Sequence, residues 1–292
     1  MTPRGWFLLI ALGVIWGIPY LFIKIAVETF SPGTLVFLRV ALAGVILLPI
    51  VIARGQLRSL RGHWRWVVAF ALVEMAFTWT ALNWAEQRIT SSLAALLIAL
   101  VPLVTAIMAR FVGLDDRLTG SRIIGLIIGF IGVGVLVGFD LTGGDIPALG
   151  AMIIVVLGYA LGPIIVDRKL GELPSLAVIA AAMLVNTIIF APIAVVTWPA
   201  APIPVSAWMS VLILGAICSA LAFIVFFALI AEVGPSRTTL ITYINPVVAV
   251  FLGIVVLAEP LTLGMVAALP LILLGSWLAT RRAPALESEP HP

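Results

Sequence analysis

The chain contains two sets of five apolar runs, and the second set repeats the first at a spacing of about 143 residues. The residue pairs that define this spacing are Thr119 with Thr262, Gly132 with Gly275, Pro49-Ile50 with Pro192-Ile193, and, 144 apart, Pro102 with Pro246 and Asp115 with Glu259. Because five is an odd number of crossings, the second copy of such a unit must enter a bilayer from the opposite side. We therefore predict two halves related by a pseudo-two-fold axis in the membrane plane.

The apolar runs are long enough to be membrane spans. The chain is 63% hydrophobic and 10% charged, whereas soluble domains carry about 25% charged residues, and an α-helix needs about 20 apolar residues to cross a bilayer. The runs lie at residues 6–27, 34–53, 66–85, 91–112, 122–139, 146–166, 175–197, 207–230, 236–257 and 263–280. We expect an all-α integral membrane protein with ten transmembrane helices. Its first five-helix repeat would occupy residues 1–143, its inverted second repeat 144–282, and a disordered tail 283–292.

The basic residues predict the orientation in the membrane. Thirteen of the sixteen Lys and Arg residues fall in segments on one side of the predicted spans, which places both termini in the cytoplasm. Of the other three, Lys24 and Arg39 lie within spans and Arg88 lies in an opposite loop. The net charge of +3 therefore reflects topology, and we expect no nucleic-acid partner.

The composition argues against redox, metal and catalytic functions. Cys218 is the single cysteine of the chain, so neither an intrachain disulfide nor a cysteine-rich metal site is expected. His63 and His291 lie outside the spans, and no HExxH motif occurs. We expect no enzymatic activity, no catalytic residue, no metal and no cofactor.

Glycines and prolines inside the runs mark candidate helix hinges. They are Gly17 and Pro19 in the first run, Gly162 and Pro163 in the sixth, and Pro102 and Pro246 in the fourth and ninth. Proline removes a backbone hydrogen bond and kinks a helix, and broken helices in both halves are typical of a central transport site. The alternative is that these bends serve helix packing.

Polar and aromatic side chains at membrane depth predict a substrate cavity near the midplane. Glu74 lies about nine residues into the third run, where an ionised carboxylate costs about 2.5 to 3.5 kcal/mol in lipid, so it should face protein or water. Deep aromatic rings can stack on a flat ligand and attract its ammonium group, although tryptophan and tyrosine also form interfacial belts. The candidate cavity residues are Trp16, Tyr20, Glu74, Thr78, Trp79, Asn83, Tyr159, Phe223, Thr242, Tyr243 and Asn245.

Charged residues in the spans leave several roles open. Lys24 and Arg39 lie within snorkelling reach of the outer interface; alternatively, one of them attracts a substrate carboxylate or pairs with Glu86 as an outer gate. Glu74 is a proton site, a ligand for a substrate amine, or a neutral carboxylic acid bonded to Thr78.

Several short motifs along the chain carry a family resemblance. They are Trp16-Gly17, Phe37-Leu38-Arg39, Pro102 followed at thirteen residues by Asp115, Pro246 followed at thirteen by Glu259, and the glycines of the fifth run. Together they resemble, over residues 6–280, the ten-span members of the drug/metabolite transporter superfamily that are built from two EamA-type repeats. The resemblance implies a bacterial inner-membrane exporter of aromatic amino acids. We interpret Asp115, Asp116 and Glu259 as helix-terminus structure.

We therefore expect a carrier of aromatic and large neutral amino acids that works by alternating access. Spans one, three, four, six, eight and nine would line its cavity, and the lipid bilayer would be its other partner. Facilitated transport is favoured over proton coupling, since a coupled carrier usually needs a relay of carboxylates, and a monomer is favoured. One alternative is a transporter of another amphipathic metabolite or drug, proton-coupled through Glu74. A different class would be a membrane subunit that binds a partner protein.

Overall fold

A computed structural model describes residues 1–111, 120–140 and 146–280, and every regular element in these ranges is helical. We number the long helices α1 Pro3–Ala26, α2 Pro32–Ala53, α3 Trp64–Glu86, α4 Ser91–Phe111, α5 Gly120–Gly138, α6 Ile146–Lys169, α7 Ser175–Val196, α8 Val205–Val233, α9 Ile241–Leu257 and α10 Leu263–Ala279. Helices α1 to α8 are long and apolar enough to cross a membrane, while α9 and α10 are shorter apolar helices. The predicted all-α membrane architecture is confirmed. Asp115, Asp116, Thr119 and the predicted tail 283–292 lie outside the described residues.

Prolines interrupt some of these helices but not others. Helix α1 divides into Pro3–Gly17 and Pro19–Ala26, because Pro19 has no N–H to continue the hydrogen-bond ladder. Helix α4 divides into Ser91–Ile98 and Val101–Phe111, just before Pro102. Helices α6 and α9 run without interruption through Pro163 and Pro246. At these two prolines the fixed φ of the ring fits the helix and only one hydrogen bond is lost, and their role as hinges stays a prediction.

Two helices contain a π-helical segment that the sequence pattern does not predict. The segments are Ala71–Phe77 in α3 and Ile213–Leu221 in α8. In each, a hydroxyl donates to the carbonyl five residues earlier: Thr78 Oγ1 to Val73 O at 2.6 Å, and Ser219 Oγ to Leu214 O at 2.8 Å. Since α3 and α8 hold equivalent places in the two predicted repeats, the same irregularity recurs in both halves. Such segments occur frequently at functional sites.

The packing of the helices has the exchange symmetry that a repeated five-helix unit requires. Helix α1 packs on α8 and α9, and its counterpart α6 packs on α3 and α4; α2 packs on α7, and α5 on α10. Each of these pairs becomes another pair, or itself, when the two halves are interchanged. The direction in which each helix crosses the bilayer stays a prediction.

Small residues allow the closest of these approaches. A Cβ at Gly125 or Gly275 would meet backbone atoms of the other helix in the α5–α10 pair, and one at Gly132 would meet Ile272. These glycines therefore pack within the chain, as small residues do between membrane helices.

Candidate functional site

The candidate cavity residues lie inside the helix bundle and contact one another or neighbouring helices. Tyr20, Thr78, Trp79 and Asn83 are buried, and Trp16, Glu74, Tyr159, Phe223, Thr242, Tyr243 and Asn245 are half-buried. A cavity of about 330 Å³ is lined by Phe37, Ala191, Ala194, Val195 and Trp198, and another of about 650 Å³ by Ile107, Ile123, Leu126, Ile127, Phe130 and Ile131. Neither is lined by a residue of the candidate set.

Arg39 lies at the junction between the halves and is only 7% exposed. Its guanidinium carbon lies 3.8 Å from the centroid of the Trp79 ring, and its Nε donates to Ser219 Oγ at 2.8 Å. A desolvated cation over an aromatic face is stabilised by about 2 kcal/mol. The alternative of a snorkelling arginine does not describe this side chain, which turns into the bundle and joins α2 to α3 and α8.

The π-helical segment of α3 has a polar partner in the second half. Asn186 of α7, fully buried, donates from Nδ2 to Ala71 O at 3.1 Å and to Ala182 O at 3.0 Å. Arg39 of α2 reaches the corresponding segment of α8 through Ser219. Polar side chains of the second and seventh helices therefore each bond the irregular segment of the opposite half.

Two tyrosines complete the surroundings of Arg39. Tyr159 of α6 packs against the hydrophobic core that contains Trp79, and Tyr159 and Tyr20 both lie near Arg39 and Glu86. The side chains of Tyr20, Arg39, Trp79, Glu86 and Tyr159 thus form one group, contributed by α1, α2, α3 and α6. We call these five residues the arginine cluster.

Glu74 and Thr78 lie at the contact between α3 and α6. A Cβ at Gly158 would overlap Thr78 Oγ1, and a Cβ at Gly162 would overlap Glu74 Oε2. Among the described residues, Glu74 Oε2 is buried without a hydrogen-bond partner. Gly162, a candidate hinge, therefore makes room for the carboxylate, and Thr78 bonds Val73 O rather than Glu74.

Helix α1 makes an equivalent close contact with α9. A Cβ at Gly13 would overlap Ile244, and one at Gly17 would overlap Val248. With its amide assigned by hydrogen bonding, Asn245 donates to Gly13 O at 2.9 Å and to Ile241 O at 3.0 Å. Asn245 therefore joins two helices, while its neighbour in the candidate set, Thr242, donates to Thr239 O at 2.7 Å in its own chain segment.

A group of aromatic rings lies between α1 and α8. The ring centroids of Trp16 are 5.9 Å from Phe223 and 5.0 Å from Phe226, and Phe223 is stacked with Phe227 at 6.4 Å. Edge and offset contacts of this kind stabilise by about 0.5 to 1.5 kcal/mol each. The candidate set therefore divides into this aromatic group, the arginine cluster and the two helix contacts that contain Glu74 and Asn245.

Lys24 binds the backbone carbonyl of Glu86 instead of forming the expected ion pair with its carboxylate. Lys24 Nζ donates to Glu86 O at 2.6 Å and to Ile89 O at 2.8 Å, so its ammonium binds carbonyls where α3 ends rather than the carboxylate. Cations are stabilised at this end of a helix by its dipole and its unpaired carbonyls. Glu86 is fully buried, and neither carboxylate oxygen has a hydrogen-bond partner among the described residues.

The interpretation of Glu259 as helix-terminus structure is confirmed, but the helix belongs to the other half. Its carboxylate accepts from Ser91 N at 2.7 Å, Ser92 N at 3.0 Å and Ser92 Oγ at 2.5 Å at the start of α4. An acceptor at this position satisfies the free N–H groups of the first turn and complements the helix dipole. Asn83 is likewise structural, since its Nδ2 donates to Pro32 O at 3.1 Å.

Comparison with known proteins identifies the family. The model of the EamA-like transporter family matches residues 3–138 and again residues 146–281. The chain belongs to the EamA-like transporter family. The resemblance to the drug/metabolite transporter superfamily is thereby confirmed, and the family and the names of the relatives indicate a transporter rather than an enzyme.

Relatives of this EamA-like transporter include three of interest. An uncharacterized transporter of Archaeoglobus fulgidus is 25% identical over 96% of this chain and 99% of its own length. The uncharacterized inner membrane transporter YedA of Escherichia coli K12 is 32% identical over 84% of this chain and 80% of its own. A probable terminal-alkyne amino-acid exporter of Streptantibioticus cattleyicolor is 27% identical over 89% and 87%.

A solved structure has the same fold. One protein crystal structure, 21% identical, superimposes with a TM-score of 0.68 and covers 95% of this chain and 96% of its own. At this identity the likeness shows the fold alone.

In this EamA-like transporter the sequence analysis missed Ser219 and Asn186. Asn186 lies in the middle of the seventh apolar run, so the criterion that selected Glu74, a polar group at membrane depth, would have found it. Ser219 carries a weaker signal, because a serine hydroxyl in a helix can satisfy itself on its own backbone. Only its place within the π-helical segment of α8, which brings it to Arg39, distinguishes it.

Proposed function

We propose that this chain exports amino acids with aromatic or large neutral side chains across a bacterial inner membrane. The observation that carries the proposal is the stacking of buried Arg39 on Trp79, with its Nε held by Ser219. A guanidinium suits a carboxylate better than any other side chain does, and the neighbouring rings offer apolar faces. A substrate with a carboxylate and an aromatic or large apolar side chain fits this combination.

The aromatic group supports the preference for large side chains. Trp16, Phe223, Phe226 and Phe227 form a continuous set of rings one helix away from the arginine cluster. Ring faces stabilise a flat or apolar ligand without fixing its identity. This chemistry suits an exporter that accepts several neutral amino acids.

The relatives support the compartment and the substrate class. YedA is named an inner membrane transporter, and the relative from Streptantibioticus cattleyicolor is named a probable terminal-alkyne amino-acid exporter. We further propose that both termini are cytoplasmic and that residues 1–143 and 144–282 are the two inverted repeats.

Alternating access would proceed by movement at the two glycine contacts. Helices α1 and α9 touch at Gly17, and α6 and α3 touch at Gly162, so each contact joins one helix from each half. Pro19, Pro163 and Pro246 lie in the same helices, and Pro102 lies in α4, which packs on α6; these prolines would absorb the bending. The protein would act as a monomer, because Gly125, Gly132 and Gly275 are already covered within the α5–α10 pair.

Facilitated transport is the favoured energetic mode. The described hydrogen bonds do not connect Glu74 with Glu86, whereas a proton-coupled carrier usually has a relay of such groups. One observation favours a second candidate: the unpartnered, buried Glu74 Oε2 is suited to carry a proton, which would make the chain a proton-coupled carrier of another amphipathic metabolite or drug.

Efflux from proteoliposomes tests the proposal. Vesicles that contain the purified protein are loaded with labelled phenylalanine or tryptophan, with a nucleoside and a sugar as controls, and efflux is followed with and without a pH gradient. We expect saturable efflux of the two amino acids that unlabelled leucine competes with and that the gradient leaves unchanged. Acceleration by the gradient would favour the second candidate, and no efflux of either amino acid would overturn the proposed substrate.

A further inference from the structure

The Glu86 carboxyl group is buried without a hydrogen-bond partner among the described residues. The side chain is 0% exposed, and neither Oε1 nor Oε2 has a partner among the described residues. Burial of an ionised carboxylate is strongly unfavourable unless it is paired and hydrogen-bonded. A group of this kind in a folded protein calls for a functional reason.

Lys24 does not supply the missing partner. Its ammonium is bound to the backbone carbonyls of Glu86 and Ile89, at 2.6 and 2.8 Å. Gln87 Nε2 donates to Val27 O at 3.4 Å across the same helix pair. These bonds fix the end of α3 against α1 and hold Glu86 in place, but none of them is made to its carboxylate oxygens.

Arg39 is the complementary cation of the arginine cluster. A guanidinium has five N–H donors, and the structure gives Arg39 one hydrogen bond, from Nε to Ser219 Oγ at 2.8 Å. The stack on Trp79 holds the plane of the group. Among the described residues Arg39 forms no ion pair with Glu86 or any other carboxylate. The fork of its terminal nitrogens thus has donors left for a carboxylate, which it can bind with two parallel hydrogen bonds.

Other polar residues near the cluster are already engaged. Asn245 donates to two carbonyls, and Asn83 donates from Nδ2 to Pro32 O at 3.1 Å, while its Oδ1, a neutral acceptor, has no partner among the described residues. Thr78 donates to Val73 O at 2.6 Å. The polar end of a substrate is therefore better served by Arg39 and Glu86 than by these three residues, which the sequence pattern favoured.

Tyr20 and Tyr159 connect the two opposite charges. Each tyrosine interacts electrostatically with both Arg39 and Glu86. Glu86 in turn interacts with Lys24, Glu259 and Arg39. Opposite charges that share two tyrosine neighbours but do not pair with each other present a dipole to whatever enters between them.

We propose that Glu86 and Arg39 are the two poles of a site for a dipolar ligand, with Glu86 binding an ammonium group and Arg39 a carboxylate. This inference rests on the proposed function and narrows it from carboxylate-bearing compounds to α-amino acids whose amine is free and protonated. Tyr20 and Tyr159 would border the ligand, and Trp79 would hold Arg39 in position. The same site would discriminate against amines and acids that carry one charge alone.

Ligand-induced thermal stabilisation of the purified full-length protein tests the site, because only a ligand that binds the folded state raises its melting temperature. The probes are L-phenylalanine, 3-phenylpropionate, which lacks the amine, and 2-phenylethylamine, which lacks the carboxylate. We expect Glu86→Gln to weaken phenylalanine binding about 10- to 100-fold, as for a lost charged hydrogen bond, and to change 3-phenylpropionate binding less than about 3-fold. Glu28→Gln, which removes an exposed carboxylate from the loop after α1, should change neither.

Arg39→Gln gives the opposite selectivity, with phenylalanine and 3-phenylpropionate weakened and 2-phenylethylamine retained. Glu86→Asp keeps the charge and replaces Glu86→Gln where the amide variant does not fold. Equal loss of phenylalanine and 3-phenylpropionate in the Glu86 variant, or no loss of either, would overturn the dipolar site while leaving amino-acid export intact. If the wild-type protein binds leucine or glycine in a Glu86-dependent manner but neither phenylalanine nor tryptophan, the site stands and the proposed side-chain preference fails.

Discussion

Gly162 of α6 lies against the Glu74 side chain of α3, so closely that a Cβ at position 162 would overlap Glu74 Oε2. The glycine thus determines how near the sixth helix comes to the third. Gly158, one turn earlier, faces Thr78 in the same way. The contact joins the two halves at a position where the sequence suggested a hinge.

Gly162→Ala should therefore destabilise the protein. Overpacking of a tight contact costs about 1 to 3 kcal/mol, and we expect a lower melting temperature in detergent together with slower transport. Gly150→Ala on the same helix is the matched control, because nothing lies within 4 Å of the position its Cβ would take.

A double-mutant cycle with Glu74→Ala separates the contact from helix propensity. If the overlap with the carboxylate is responsible, the second change should restore most of the stability that Gly162→Ala removes. Additive losses in the double variant would contradict the proposed contact.

Ser219→Ala should impair the protein far more than removal of another buried serine from α8. Ser219 accepts from Arg39 Nε and donates to Leu214 O, whereas Ser210 donates only to Ser206 O one turn away. Loss of a hydrogen bond to a buried charge costs about 1.5 to 3 kcal/mol. We expect Ser219→Ala to lower the melting temperature and amino-acid efflux, and Ser210→Ala to behave nearly as wild type. Comparable effects of the two changes would mean that the bond to Arg39 contributes little.

Much of this arrangement follows from the sequence, and the parts that do not have identifiable causes. Length and hydropathy are enough to predict the helices, because a run of about 20 apolar residues has few other folds available. Side-chain depth is enough to select Glu74, Trp79 and Tyr159. Depth alone says nothing about which helices meet, so the stack of Arg39 on Trp79 is not predictable from it.

The π-helical segments also escape the sequence pattern. A π-helical segment shifts the helical register by one residue, and this shift depends on whether a neighbouring side chain can bond the displaced carbonyls. At Ala71 O the neighbour is Asn186, which is more than a hundred positions away in the sequence. Conversely, a break that the sequence would allow is absent at Pro163 and Pro246, where the helices are continuous. A proline permits a break, but the surrounding helices decide whether one forms.

Lys24→Met should loosen the C-terminal end of α3. The change preserves the apolar stem of the side chain but removes the ammonium that binds Glu86 O and Ile89 O. We expect a loss of about 1.5 to 3 kcal/mol in stability, which is the range for a charge-assisted bond to a group left unsatisfied, measured by thermal unfolding. Lys169→Met provides the comparison, because it removes an exposed lysine from the last turn of α6 whose Nζ, among the described residues, contacts only the Trp66 ring, 5.0 Å from its centroid, a contact that stabilises exposed sites by about 0.5 to 1 kcal/mol. Equal melting temperatures for the two variants would argue against a structural role for Lys24.

Glu259→Ala should destabilise the start of α4 without a specific effect on substrate affinity. The carboxylate accepts three hydrogen bonds from Ser91 and Ser92, and loss of a helix cap costs about 0.5 to 2 kcal/mol. The melting temperature should fall relative to Glu172→Ala, which removes an exposed glutamate. The apparent KM for efflux by the folded fraction should stay at the wild-type value. A raised KM with an unchanged melting temperature would identify Glu259 as part of the transport site instead.

Glu74→Gln distinguishes facilitated from proton-coupled transport. The amide has nearly the same shape as the acid and fits the same space beside Gly162, so the helix contact is retained, but it cannot take up and release a proton. Under facilitated transport, efflux from proteoliposomes is independent of an imposed pH gradient in both the wild type and the variant. Under coupling through Glu74, the gradient accelerates efflux by the wild type and has no effect on efflux by the variant.

Glu86 is the other buried carboxylate of α3. The same efflux measurement on Glu86→Gln therefore shows whether a dependence on the pH gradient arises from Glu74 or from the dipolar site. We expect no gradient dependence in the wild type, since the two carboxylates are not joined by hydrogen bonds among the described residues.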